Sequence, residues 1–129
     1  MFIGGYISAA GLGLVCPDWP LCPNGIFPGD DFFIEWVHRL IAVSVGTMII
    51  ATNVFVWKHQ DSEKYIKFTS TFASVLVLTQ IGLGALVIDL KLAAILVAIH
   101  FGIGILLFSM VLLTTLFGFR LSRKSSTTI

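Results

Sequence analysis

The sequence predicts an all-α integral membrane protein, an antiparallel bundle of transmembrane helices built as one domain over residues 1–129. Three observations carry this. Of 129 residues, 57% are hydrophobic and only 12% are charged, where soluble domains carry about 25% charged residues. Mean hydropathy is +0.97. Three apolar runs reach or exceed the roughly 20 residues that a helix needs to cross the hydrocarbon core. Disorder is excluded, because it requires low hydrophobicity and high charge. The net charge of +1 offers no basic field for nucleic acid.

The spans are expected at 32–57, 65–88 and 93–119. Backbone polar groups find no partners in lipid, so each span must be helical. Ahead of them, Met1–Ala10 (MFIGGYISAA) is apolar but too short to cross. It lacks the basic start of a signal peptide. It reads as the outer end of a helix whose beginning is absent, the complete fold being a four-helix bundle. Either translation starts upstream, or the protein has three spans with its N-terminus outside. The 120–129 tail is polar, and Ser122–Ile129 is expected to fray.

Loop charges set the expected orientation. Lys58, Lys64 and Lys67 lie between the first two spans, and Arg120, Arg123 and Lys124 follow the third. The 9–31 segment carries Asp18, Asp30 and Asp31 with no Lys or Arg, and the second turn has Lys91 beside Asp89. The positive-inside rule then puts the 58–67 loop and the C-terminus in the cytoplasm and the 9–31 loop outside a cell membrane. Trp36, Trp57 and Tyr65 fall where interfacial aromatic anchors belong.

Ionisable residues inside an apolar chain need a reason. His38 and His100 each sit six or seven residues inside the outer end of a span, which at about 1.5 Å per residue is roughly 10 Å deep. The two spans are expected to run in opposite directions and still bring the imidazoles to one level. Such a pair suits a planar cofactor clamped between helices, with both imidazoles as axial ligands of a haem iron. The plainer alternative is that each histidine hydrogen-bonds across helices. His59 follows Trp57 and Lys58 at the boundary and reads as interfacial. Gly46, Gly82, Gly84, Gly102 and Gly104 would let a helix or a flat ligand approach, and ordinary packing explains them equally well.

Glu35-Trp36-Val37-His38-Arg39 concentrates the chemistry. Glu35 is i,i+3 to His38 and i,i+4 to Arg39, so the three project from one face. One reading is a self-neutralising Glu35–Arg39 pair. The other is a carboxylate one turn from a haem ligand, able to move protons, with Arg39 meeting a haem propionate in two-point geometry. Cys16 and Cys22 enclose Pro-Asp-Trp-Pro-Leu. In an oxidising compartment they read as a disulfide staple or as a redox-active pair. No third and fourth ligand completes a zinc site there.

Gly11-Leu-Gly-Leu-Val-Cys-Pro-Asp-Trp-Pro-Leu-Cys22, then Glu35-x-x-His38-Arg39, then Gln80-Ile-Gly-Leu-Gly84 and a late His100 together resemble the haem A synthase family of cytochrome oxidase assembly. The resemblance covers about residues 3–115. It implies oxidation of the C8 methyl of haem O to a formyl group, by successive hydroxylations. It implies haem between His38 and His100, a catalytic Glu35, and a Cys16–Cys22 pair linked to activity or stability. Long members consist of two similar four-helix halves, each with a histidine pair. This sequence shows one half, the one bearing the cysteines and the glutamate. Five residues lie between its cysteines, where about six are common. Haem O as substrate, or haem b as a relay, is the implied cofactor. Haem O synthase and other assembly factors are the implied partners, beside membrane lipid and an unidentified electron acceptor.

Three other classes share some of these features. A small bis-histidine b-type cytochrome would use the histidines and give Glu35 no task. A membrane thiol-disulfide oxidoreductase would use Cys16 and Cys22 but lacks a second cysteine pair. A structural subunit would use the histidines only as hydrogen-bonding groups. Because three spans bury such a site poorly, a homo-oligomer is expected.

Overall fold

The computed structural model describes residues 2–12, 33–59 and 63–127. Every regular element among them is helical: α1 (Phe2–Ala9), α2 (Phe33–Lys58), α3 (Lys64–Asp89) and α4 (Ala94–Thr127). The chain is therefore an all-α membrane bundle, and α2, α3 and α4 are long and apolar enough to cross a bilayer. The three expected spans fall on these helices with ends displaced by one residue, except at the last end. There α4 continues to Thr127, past the expected end at Phe119 and into the Ser122–Ile129 tail expected to fray. No Pro or Gly follows Gly118 to break it. At about 1.5 Å per residue its 34 residues exceed a core of about 30 Å, so the end bearing Arg120 and Arg123 extends beyond the apolar layer.

Side-chain hydrogen bonds fix the helix directions. Between α2 and α3, Ser70 Oγ and Thr71 Oγ1 donate to Asn53 Oδ1 at 3.0 and 3.2 Å, and Trp57 Nε1 donates to Thr71 Oγ1 at 2.9 Å. Higher up, Gly46 approaches Val77 and Ile81. Rising numbers on α2 meet falling numbers on α3, so the pair is antiparallel. Between α3 and α4, Thr114 Oγ1 donates to Thr69 Oγ1 at 2.9 Å and Gln80 Nε2 donates to the His100 carbonyl at 2.7 Å. That pair is antiparallel too. Two reversals restore the direction, so α2 and α4 run the same way. The expectation that the histidine-bearing helices oppose one another is corrected here. Their histidines share a level because each lies near the N-terminal end of its helix.

Packing is concentrated away from that end. Ile49, Ala73 and Val77 form the buried centre, with Leu107, Met110 and Val111 of α4 against it. Both α2 and α4 pack on α3 and scarcely touch each other, while α1 leans on α2. Most large apolar side chains face outward, Phe55, Phe68, Ile95 and Phe108 among them. In water this would be a defect. In lipid, exposed apolar side chains cost nothing, and helices associate through small residues and polar contacts. Ala73, Ser70 and Ser74 are nearly inaccessible and bring α3 close to its neighbours. The cross-helix hydrogen bonds add about 0.6–2 kcal/mol each. Lys67 caps this end with its Nζ 5.7 Å from the Trp57 ring centre.

The α3–α4 turn is tight. Leu92 N–H donates to the Val87 carbonyl at 2.8 Å and Lys91 N–H to the Ile88 carbonyl at 3.0 Å. This is the Schellman arrangement, which satisfies two of the last carbonyls of α3. It needs a left-handed residue, normally Gly, yet Lys91 and Leu92 have φ of 51° and 60°. A left-handed L-residue costs roughly 1–2 kcal/mol. Lys91→Gly is therefore expected to raise unfolding stability by about 1 kcal/mol, net of the glycine entropy cost. Thermal or denaturant unfolding in detergent micelles would measure it.

Candidate functional site

The end of the bundle carrying the N-termini of α2 and α4 holds the residues singled out from the sequence. His38 lies in the second turn of α2, and the Gly4 backbone of α1 lies against its ring. A Cβ on Gly4 would come within 3.1 Å of His38 Cε1. His100 lies in the second turn of α4, against α3. A Cβ on Gly84 would lie 3.7 Å from His100 Cε1. Counting up α3 from the Gly46 contact puts His38 within about one helical turn, ~5 Å, of the level of His100.

Both rings are partly covered, and His100 Nδ1 is buried with no hydrogen-bond partner. The cross-helix hydrogen bond that would explain this nitrogen structurally is absent among the described residues. A buried imidazole nitrogen left open is uncommon and calls for an explanation. The α3 backbone at Gly84 passes near the His100 ring, and the close approach of α1 to His38 depends on Gly4. At this end α2 and α4 hardly meet directly, and α1 lies against both, with Gly4 at His38 and Gly5 at Phe101. A flat macrocycle with two axial imidazoles fits this donor set. Among the described residues no group of three or more His, Cys, Asp or Glu side chains gathers as a metal cage. A haem iron needs no such cage, because the porphyrin supplies its other nitrogens.

Glu35 sits one turn before His38 and is 6% exposed, while Arg39 is 15% exposed. Arg39 Nη2 donates to Glu35 Oε1 at 2.7 Å. An isolated buried carboxylate would be costly, and a charge-assisted hydrogen bond offsets much of that cost. The two readings of this cluster are thus compatible. The pair is made, and it is made beside His38. Phe33 stacks on Trp36 with ring centres 6.3 Å apart, covering the start of the same helix.

An open, mostly apolar cleft of about 580 Å³ runs between α1 and α4, lined by Ser8, Val97, Ala98, Phe101, Gly102 and Ile105. It flanks His100 without including it. Cys16 and Cys22 lie outside the described residues. His59 follows α2 at the opposite end, exposed, with its ring centre 4.4 Å from that of Phe55, in keeping with its interfacial reading.

The sequence did not single out the inter-helix polar residues. Gln80 was noted only within a motif, yet it bonds to the His100 main chain. The signal was available: an amide in the middle of a 26-residue apolar helix needs a partner. The close approach of Gly4 to His38 had no signal, because it depends on how α1 docks.

Fold and site together define a multi-pass helical membrane protein with two imidazoles and a buried carboxylate at one end of its bundle. Comparison with known proteins narrows this. Residues 28–128 match the COX15-CtaA family model, described as cytochrome oxidase assembly protein. The heme A synthase of Bacillus licheniformis is 33% identical over 124 residues, covering 94% of this chain and 41% of that protein. The heme A synthase of Bacillus pumilus is 32% identical, with 95% and 41% covered. That of Geobacillus kaustophilus is 30% identical, with 95% and 40% covered. The chain thus spans about two fifths of the length of these curated relatives. No solved structure matches it. The chain belongs to the cytochrome oxidase assembly protein family.

The Gly4 contact yields a test of how α1 is held. Gly4→Val should push α1 off His38 at a cost of about 1–3 kcal/mol. Hydrogen exchange should then speed up in α1 and stay unchanged in the middle of α3.

Proposed function

We propose that this protein takes part in haem A formation, gripping haem O between His38 and His100 while its C8 methyl group is oxidised to a formyl group. The observation that supports this is the placement of His38 and His100 in the second turns of α2 and α4, at one end of the bundle, with the buried Glu35 one turn from His38. Membership of the cytochrome oxidase assembly family supports it, as do relatives named heme A synthase.

In this reading haem O is the substrate, and its iron is held by the two imidazoles. Converting a methyl to a formyl group takes one oxygen from water and releases four protons and four electrons. The electrons pass to an acceptor outside this chain. Glu35 is the proton acceptor, one turn from His38 on the same helix face. Arg39 holds the Glu35 carboxylate in place, and its guanidinium suits a haem propionate. Cys16 and Cys22 belong to an outer loop, as a disulfide or a redox pair. The end bearing Lys58, Lys64 and Arg120 faces the cytoplasm under the positive-inside rule. Self-association of this chain, or its pairing with another subunit, completes the lipid-facing side of the site.

A second reading draws on the Glu35–Arg39 contact. If that pair serves only to neutralise itself, the protein is a small b-type cytochrome that passes electrons and leaves its haem unchanged.

Purified protein loaded with haem O separates these readings. With an electron acceptor present, extracted pigment should contain hydroxylated and formyl haem. Glu35→Gln should stop product while leaving haem bound. His38→Ala and His100→Ala should each remove the low-spin spectrum. Unaltered haem O after turnover favours the cytochrome, and a colourless wild-type protein sinks both.

A further inference from the structure

We infer that Gln80 is the positioning residue for His100, holding its main chain with one end of the amide and accepting the imidazole Nδ1–H with the other. The inference rests on the reading of His100 as an iron ligand.

Gln80 lies in the second half of α3, well inside an apolar span. A primary amide there must be hydrogen-bonded or it destabilises the helix. Its Nε2 donates to the His100 carbonyl at 2.7 Å. Only the NH2 end can donate to a carbonyl, so this bond also fixes which way the amide faces. The other end, Oε1, is buried and unbonded, as is His100 Nδ1. Among the described residues Gln80 Oε1 is the only buried side-chain oxygen left open. The two unsatisfied atoms therefore belong to residues already joined by a hydrogen bond.

They are chemically complementary under one condition. When Nε2 of a neutral imidazole binds a metal, the proton must reside on Nδ1, which becomes a donor. Ligating histidines nearly always give that proton to a carbonyl, a carboxylate or a water. Gln80 Oε1 is the acceptor at hand, reached by a turn of the ring or through one bridging water. Gly84, one turn further along α3, lies near the same ring. Without a metal on Nε2 the arrangement leaves two polar atoms buried and unused. With one, both are satisfied. Such an acceptor fixes the ring plane and strengthens the imidazole as an electron donor.

The test uses the purified, haem-loaded protein with Gln80→Leu, Gln80→Met and Gln80→Glu. Leu and Met remove the acceptor. They should raise the haem reduction potential, alter the low-spin ferric electron paramagnetic resonance signal, and weaken haem binding about 10- to 100-fold. Glu retains an acceptor and should keep the potential at or below that of the unchanged protein. If Leu prevents accumulation, Met preserves length and flexibility and gives the same readout. Pigment that depends on His100, with potential and signal unmoved in Gln80→Leu and Gln80→Met, overturns the role of Gln80 alone. Pigment retained in His100→Ala overturns the ligand reading, and this inference with it.

Discussion

The arrangement depends on α3 standing between α2 and α4. Each histidine-bearing helix packs on α3 and hardly on the other. In lipid there is no hydrophobic force to draw α2 and α4 together. What fastens each to α3 is specific: Asn53 with Ser70 and Thr71 on one side, Thr114 with Thr69 and Gln80 with His100 on the other. The first three contacts, with the Ile49–Ala73–Val77 centre, lie away from the histidines. One end of the bundle is thus closed by packing among α2, α3 and α4, and at the other α1 lies against His38 of α2 and Phe101 of α4.

The same logic accounts for the polar residues at the open end. A carboxylate 6% exposed is not an economical way to build a membrane helix. Arg39 makes it tolerable, and the helix repeat sets both beside His38. Replacing a buried pair by apolar residues is often neutral or stabilising. Stability alone therefore gives a weak reason for keeping Glu35 and Arg39, and proximity to the imidazole gives a stronger one.

Much of this architecture was legible in the sequence because its cause is local. Apolar runs of spanning length must be helices, and the ends of α2, α3 and the start of α4 fall within one residue of where the composition changes. The spacing of Glu35, His38 and Arg39 gave their shared face, since 3.6 residues per turn leaves no freedom. The relative direction of α2 and α4 was misjudged, although counting reversals would have supplied it. Contacts that depend on tertiary docking were out of reach. Nothing in Gly4 tells of His38, and nothing in Gln80 names the His100 carbonyl. The far end of α4 outran its expected boundary because a polar composition marks where lipid stops and not where a helix must stop.

The left-handed turn at Lys91 and Leu92 acts as a phase lock. Only Leu90–Ala93 separates α3 from α4. Inserting a single residue there would advance α4 by about 1.5 Å and rotate it by about 100°. His100 would then be carried off the face that meets Gln80 and Gly84. The length of this connection is therefore as much a part of the chemistry as any side chain in it, and two strained residues are the form its brevity takes.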